Sequence, residues 1–379
     1  MSDFINSFAQ KNMTYNTQTV YSTTPGDNYY KVMIFVGESD AATYFTGTPP
    51  SVDTVTQITA SNYTTLTQGL LLKWLSDFYA NGSTAIVYLV LYTDVVTAAY
   101  SSVDLATQYG LYKYTAFWKT IISGAYLNSA CEALDALWVA DSLKDKKFTQ
   151  TFFGSADSAL ITTPDTTSLW YLLTHANATT QAWIVYHHDA NHNPALAQLG
   201  MTLSLFNSAL SPQSPVGSKL GFVAMNTIAP SGTGDINLTS TITTILETKH
   251  VGYFEYVGDG TTNVINALNV NLQNIPLGSW WIPSYIDHVS EIEAATLLSQ
   301  PNMYLNAATY NSILALTGKN VKMFVDSGRF TSYTLTKAAF NQSTNVTSDK
   351  KFIISNAWSA NYVDDAEGLT VTGTLFINV

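Results

Sequence analysis

Four side chains within six positions, His187, His188, Asp189 and His192, form the densest group of potential metal ligands in the sequence. They follow directly on the apolar run 182–186, which reads as a β-strand, and the strand ends of α/β sheets are where ligand sites form. A divalent ion held there would generate a hydrolytic water. Zinc needs three or four converging ligands, however, and this spacing matches no established zinc motif. The other reading is a polar loop that caps the next helix. The spacing favours it, and no metal is expected.

Other groups have equally ordinary explanations. Gly258, Asp259 and Gly260 lie between two strand-like runs, where Asp-Gly makes a hairpin turn; cradling a phosphate would need a helix N-terminus directly after them. Asp287, His288, Glu291 and Glu293 bring carboxylates near an imidazole, yet acids in the first turns of a helix are dipole partners. Trp280 and Trp281 could stack on a sugar, although paired aromatics serve more often in cores or interfaces. No Gly-x-Ser-x-Gly elbow, Walker loop or Gly-x-Gly-x-x-Gly fingerprint stands at a strand-to-helix junction. No catalytic or cofactor-binding residue is assigned, no cofactor is expected, and the chain reads as a non-enzyme.

The elements that would position these groups alternate. Residues 30–37 (YKVMIFVG) form a continuous apolar run, the mark of a strand buried on both faces. Over 63–79, Leu66, Leu70, Leu71, Trp74, Leu75 and Phe78 recur at three and four, one helical stripe that Asn81 and Gly82 close. A second buried run, 85–91, follows, completing a βαβ unit with a parallel sheet. Helices are expected at 111–122, 127–143, 168–175 and 194–206, with strands at 148–153 and 182–186. The Pro- and Gly-punctuated stretch 207–234 reads as a long connection. Beyond it come helices at 238–249, 291–298 and 307–316, and strands at 252–257, 264–270, 321–325 and 352–356.

The two ends differ from the body. Residues 1–28 read as an arm with a strand signal at 17–23, including Thr17, Thr19, Val20 and Tyr21. At the other end Leu369, Val371, Leu375, Ile377 and Val379 alternate with polar residues as in a half-buried strand. A terminal strand this apolar must be paired, because an open sticky edge invites uncontrolled association.

Composition narrows the function. Only 11% of the 379 residues are charged, against roughly a quarter in ordinary soluble proteins. Arg329 is the only arginine and the net charge is -11, so the clustered cations that nucleic-acid binding requires are missing. A surface poor in ions and rich in Thr, Asn and Tyr suits packing against copies of itself, since such groups cost less to bury. Cys131 is the single cysteine, which excludes an intrachain disulfide; its neighbours suggest a buried thiol. No secretory signal is expected at the start, and no run approaches the ~18 apolar residues of a membrane span.

Several segments in order resemble the sheath protein of contractile phage tails: the strand 32–37; Lys73-Trp74-Leu75-Ser76-Asp77-Phe78-Tyr79-Ala80-Asn81-Gly82 with the strand 86–91 after it; Trp183 to His187; Asn193-Pro194-Ala195-Leu196-Ala197; Pro215-Val216-Gly217-Ser218; 252–260 (GYFEYVGDG); the Ile286-Asp287 region leading into a helix; and the closing strand. The resemblance implies a fold of α/β and α+β class, with a mixed-sheet core built from N- and C-terminal parts, an inserted α/β middle region and terminal strand-exchange arms. It divides the chain into an arm (1–28), core parts (29–92 and 235–367), a middle domain (93–234) and a donated strand (368–379). It further implies hexameric rings of this chain stacked helically around a tail tube protein. Baseplate and tail terminator proteins would be further partners, without membrane insertion, in a virion assembled in the host bacterial cytoplasm. Interface residues carried over are Leu369, Val371, Leu375, Ile377 and Val379 at one end and Thr17, Thr19, Val20 and Tyr21 at the other. A tube or baseplate protein, and a metal-dependent hydrolase using His187, His188 and His192, are the alternatives.

Overall fold

The computed structural model describes residues 27–204, 224–225, 227–257, 264–301, 304–336, 338–346, 352–362 and 369–377. The first apolar run is strand β1 (Val32–Gly37), buried at all six positions. Edge strand β2 (Val55–Ile58), helix α1 (Gly69–Ala80) and strand β3 (Val87–Tyr92) follow. α1 buries Leu71, Trp74, Leu75 and Phe78 of the expected stripe, and Asn81 caps its end, donating from Nδ2 to Asp77 O at 2.7 Å.

A tight hairpin of β4 (Val95–Val96) and β5 (Ala99–Tyr100) leads through α2 (Val103–Tyr112) to β6 (Trp118–Ile122). Then come α3 (Leu127–Ala140), β7 (Gln150–Ser155), α4 (Leu169–Ala176), β8 (Trp183–Tyr186) and α5 (Pro194–Ser204). The sheet runs β2-β3-β1-β6-β7-β8; β2 is antiparallel to β3 and the other pairs are parallel. The parallel strands thus stand in chain order second, first, third, fourth, fifth, a doubly wound arrangement that switches direction between β1 and β6. Met33, Phe35, Tyr88, Val90, Ile121, Phe153 and Ile184 share a core with Leu105, Tyr109, Leu134, Leu169 and Leu173 from α2, α3 and α4.

The far edge of β8 is closed by later chain. The Tyr186 N–H donates to Gly252 O at 2.7 Å, and the Gly252 N–H donates to Ile184 O at 2.9 Å. Beyond lie β9 (Ala224–Met225), α6 (Ser240–Thr248), β10 (Tyr253–Tyr256) and β11 (Val264–Ala267), the strands forming an antiparallel sheet β10-β11-β9. Ser231 fastens this edge: its Oγ donates to Tyr186 O and accepts from the Phe254 N–H, both at 2.8 Å.

Contacts divide the chain into two units, one formed within residues 28–277 and the other within 278–379. The second holds α7 (Gly278–Leu298), α8 (Ala307–Asp326) and an antiparallel sheet of β12 (Phe330–Leu335), β13 (Phe352–Tyr362) and β14 (Leu369–Ile377), with β13 central. Phe330, Trp358 and Tyr362 form an aromatic cluster, with ring centroids 5.9 Å apart for Phe330 and Trp358. On β14 the buried face carries Gly373 and Leu375. Gly373 is there because Trp358 Nε1 donates to Asp287 Oδ1 at 2.8 Å directly over it; a Cβ at this position would overlap both atoms.

The α/β and α+β class is borne out, and several elements differ from expectation. Residues 118–122 are strand, not helix; the segment is buried at every position, Lys119 and Thr120 included, and periodicity does not separate a buried strand from a buried helix. Residues 321–325 are helix, because Tyr310, Ile313, Thr317, Val321 and Phe324 continue one buried stripe of α8. The six-stranded sheet draws on both 29–92 and 93–234, since β6 inserts beside β1, and the division by contacts falls at 277/278. Gly373→Ala is expected to lower stability by about 1–3 kcal/mol through overpacking. Trp358→Phe, which removes the colliding Nε1, should make the two changes non-additive in a urea-denaturation cycle; strict additivity would reject this contact.

Candidate functional site

Ligands of doubly wound sheets sit outside the strand C-termini at the switch point, here between β1 and β6. That position is filled by the chain's own carboxylate. Asp94, just after β3 and 1% exposed, accepts from the Ser39 N–H at 3.0 Å, from Ser39 Oγ at 2.8 Å and from Ser123 Oγ at 2.8 Å. Ser39 follows β1 and Ser123 follows β6, so one side chain ties three strand ends together. Gly37 lets it in, since a Cβ there would overlap the Asp94 carboxylate. A carboxylate holding three donors from its own chain has most of its hydrogen-bonding capacity taken up by the fold. The signal for this site was Gly37-Glu38-Ser39-Asp40 directly after a buried strand, with Thr93-Asp94 after its parallel neighbour, a pairing that only the sheet order reveals.

The histidine loop runs from the end of β8 to the start of α5. His187 is 1% exposed; its Nε2 lies 3.2 Å from Ala229 O and its Nδ1 accepts from the Asp189 N–H at 3.1 Å. Burial, reinforced by the His192 and His188 rings, pushes its pKa down to about 4. His192 donates from Nδ1 to Asp77 Oδ2 of α1 at 2.7 Å, a bond that raises its pKa. Burial raises that of Asp77, and the bond from His192 offsets this only in part. His188 stacks on His187 with centroids 4.7 Å apart and directs Nε2 toward Asp235 at 3.8 Å. Asn193 Oδ1 accepts from the Leu196 N–H at 3.0 Å and so caps α5, where Pro194 takes the first position.

The three rings therefore point their nitrogens at three different partners. Among the described residues no group of three or more His, Cys, Asp or Glu could hold a metal ion. The loop's visible work is to cap α5 and join it to α1, assisted by Lys73 Nζ, which donates to Asn191 Oδ1 at 2.5 Å.

The remaining candidates scatter. The strands flanking Gly258–Gly260 pair antiparallel, as a hairpin requires, and the turn itself lies outside the described residues. Asp287, His288, Glu291 and Glu293 do not stand in a first turn, because α7 begins at Gly278 and carries Pro283 inside it. Asp287 instead serves Trp358, while Glu293 accepts from Asn320 Nδ2 of α8 at 2.8 Å. Trp281 is buried inside α7. Lys249 is also firmly held: its Nζ donates to Leu160 O at 2.7 Å and pairs with Asp165 Oδ2 at 2.7 Å.

Of the residues assigned to assembly, Thr17, Thr19, Val20, Tyr21 and Val379 lie outside the described residues. Leu369, Val371, Leu375 and Ile377 lie in β14, opposite Tyr362, Ala360, Ile354 and Phe352 of β13. The strand is thus paired within its own chain, where the sequence reading had it leave for a neighbour. The reason is the length of β13: it spans eleven residues rather than the five expected, because a register irregularity between Ile354 and Trp358 interrupts the alternation without ending the strand. The outer edge of β14, by contrast, has no partner strand among the described residues.

Solved structures resemble the whole chain. One is a chain in the cryo-EM structure of the anti-feeding prophage baseplate, 6-fold symmetrised, at 12% identity and a TM-score of 0.54, covering 96% of this chain and 94% of that one. This chain shares its fold. A sheath tail protein from Listeria innocua also matches, at 11% identity and a TM-score of 0.44, over 99% and 98% of the two chains. No protein-family model and no curated protein matches.

Two buried groups make an opposed pair in acid. His187 titrates at about 4 when folded against 6.5 ordinarily, so the unfolded chain takes the proton first and stability is lost as pH falls from 6.5 to 4. Asp135 of α3, buried and accepting from Thr151 Oγ1 and Asn177 Nδ2, titrates at about 6 against 3.8. Its folded form keeps the proton, so stability is lost as pH rises from 3.8 to 6. Each contributes at most about 3 kcal/mol over its window. Relative to the unchanged chain, His187→Gln should lose stability with rising pH between 4 and 6, and Asp135→Asn should gain it. Parallel denaturation curves for all three proteins would refute both assignments.

Proposed function

We propose that this chain is a structural subunit of a phage contractile tail, a sheath protein that forms hexameric rings stacked around a tail tube and contracts to drive genome delivery. The observation that carries the reading is the shared fold over nearly the full length of a chain belonging to a six-fold baseplate assembly. Three features support it. The switch-point crevice is filled by Asp94, the histidines serve as caps and ties, and the outer edge of β14 has no partner strand among the described residues.

In this reading β14 stays in its own sheet, and its outer edge accepts the arm strand, with Thr17, Thr19, Val20 and Tyr21, of another copy. Strand addition supplies directional backbone bonds, and such a joint persists while broader surfaces slide past each other. A heterologous contact of this type propagates into a helix when it does not close. Contraction then needs two packings of different free energy separated by a barrier. The tube, baseplate and terminator proteins would be the partners, in a virion assembled in the host cytoplasm. That the similar chain belongs to a baseplate favours one second reading, a baseplate ring protein that does not stack.

Electron microscopy of the purified chain tests the choice. Striated tubes are expected, and isolated rings alone would favour the baseplate reading. Deleting residues 1–24 is expected to leave the circular dichroism spectrum unchanged and to abolish the tubes. Tubes that persist without the arm would remove it from the joint.

A further inference from the structure

Near the end of β3 a buried polar side chain is left incomplete by the chain itself. Asp104, Gln108 and Tyr112 recur every four residues along α2 and so share one of its faces. Asp53, shortly before β2, lies on that face: its backbone O accepts from Tyr112 Oη at 3.0 Å, and its Oδ1 accepts from Gln108 Nε2. The same Nε2 donates to Asp104 Oδ1 at 3.3 Å, while Asp104 Oδ2 accepts from the Thr93 N–H at 2.7 Å. One amide group thus stands between two carboxylates. Thr93 Oγ1 continues the row to a third, donating to Glu38 Oε2 at 2.9 Å. Among the described residues neither Asp53 nor Asp104 takes part in an ion pair, on a chain of net charge -11.

Gln108 is 0% exposed, and its buried Oε1 has no hydrogen-bond donor. An amide oxygen in that condition is costly. Turning the amide over does not help the chain alone, because Oε1 would then face two carboxylate oxygens, which are acceptors as well. A cation reverses the balance. With the amide turned, Oε1 takes the place of Nε2, against Asp53 Oδ1 and 3.3 Å from Asp104 Oδ1. Oxygens around a calcium ion bound at about 2.3–2.6 Å stand roughly 3 Å apart, so the spacing suits such an ion. Asp53 is exposed, which leaves one side open for entry and for waters to complete the coordination.

We propose that Asp53, Asp104 and Gln108 Oε1 bind a hard divalent cation of calcium's size, which fastens the segment before β2 to α2. The set stands apart from the histidine loop, and its third oxygen comes from an amide. All the ligands are oxygens, and calcium accepts six to eight of them in flexible geometry, whereas magnesium demands a near-ideal octahedron and gives up its waters reluctantly. With only two carboxylates and one open side, the site belongs to the weak class of calcium sites, with Kd about 10⁻⁴–10⁻³ M.

Calorimetric titration of the full chain, freed of metal with EDTA, by calcium chloride tests the site. One ion per chain is expected in that range of Kd. Calcium at about ten times Kd should raise Tm by about 2–4 °C, and magnesium at the same concentration should leave it unchanged. Asp53→Asn keeps a residue suited to the left-handed backbone at φ +53-type angles, here +67°, and is expected to weaken calcium binding at least roughly tenfold while leaving Tm in EDTA unchanged. Gln108→Glu should act in the opposite sense, binding calcium more tightly and melting lower in EDTA, because a third carboxylate joins the first two. No heat and no shift of Tm with calcium, an equal shift with magnesium, or calcium binding that neither variant alters overturns the proposal.

Discussion

Every β-strand edge must satisfy its backbone N–H and C=O groups, and how each edge here meets that demand sets what the molecule can do. The six-stranded sheet is finished on its β8 side by Gly252 and Leu272, whose bonds to Tyr186, Ile184 and Ala182 pass the sheet's direction on to the next strands. Ser231 fills the remaining gap with three bonds of its own, to Phe254 O, Phe254 N and Tyr186 O. The other side ends in β2, four residues long and antiparallel, a short edge of the kind that discourages further pairing. In the sheet of the second unit both edge strands, β12 and β14, have an outer side without a partner strand among the described residues, and β14 is the longer. An assembly joint is cheapest to make where a template already lies extended.

The same economy governs the polar groups. Few ions are present, and those that are buried are held by several partners at once: Asp94 by Ser39 and Ser123, Lys249 by Asp165 and carbonyls, Asp135 by Thr151 and Asn177. A buried charge with a full set of hydrogen bonds rigidifies its surroundings, whereas a half-satisfied one would be costly. In each case the bonds join segments far apart in the chain, so ions serve as rivets between loops.

Legibility followed this division. β1, β3 and the stripe of α1 were readable because burial on both faces, or on one face, leaves a periodic trace in residue type. β6 was not, since Trp118, Lys119, Thr120, Ile121 and Ile122 are all buried and Lys119 imitates the polar position of a helix. Its Nζ donates to the carbonyls of Ala116 and Phe148, a tertiary arrangement that no local pattern announces. α7 was read as starting thirteen residues late because Gly278 and Pro283 are helix breakers in isolation, yet its first half is almost wholly buried. The histidine loop was legible as a cap from Asn193-Pro194. Asp94 was missed because its partners lie on loops that only the doubly wound order brings together.

An architecture that in other proteins opens a ligand crevice is here locked by its own side chains. A bound ligand tying the strand-end loops of such a sheet would make their rigidity depend on occupancy. Asp94 removes that dependence, because the carboxylate that bridges β1, β3 and β6 is covalently part of the chain. The tie between these strand ends therefore holds whether or not a ligand is present. In the proposed assembly, what is left to change is the set of contacts outside the body, the open edge of β14 among them. Rigid units joined through small, uncharged contacts can exchange one packing for another without unfolding, since each contact breaks for little and the cores are untouched.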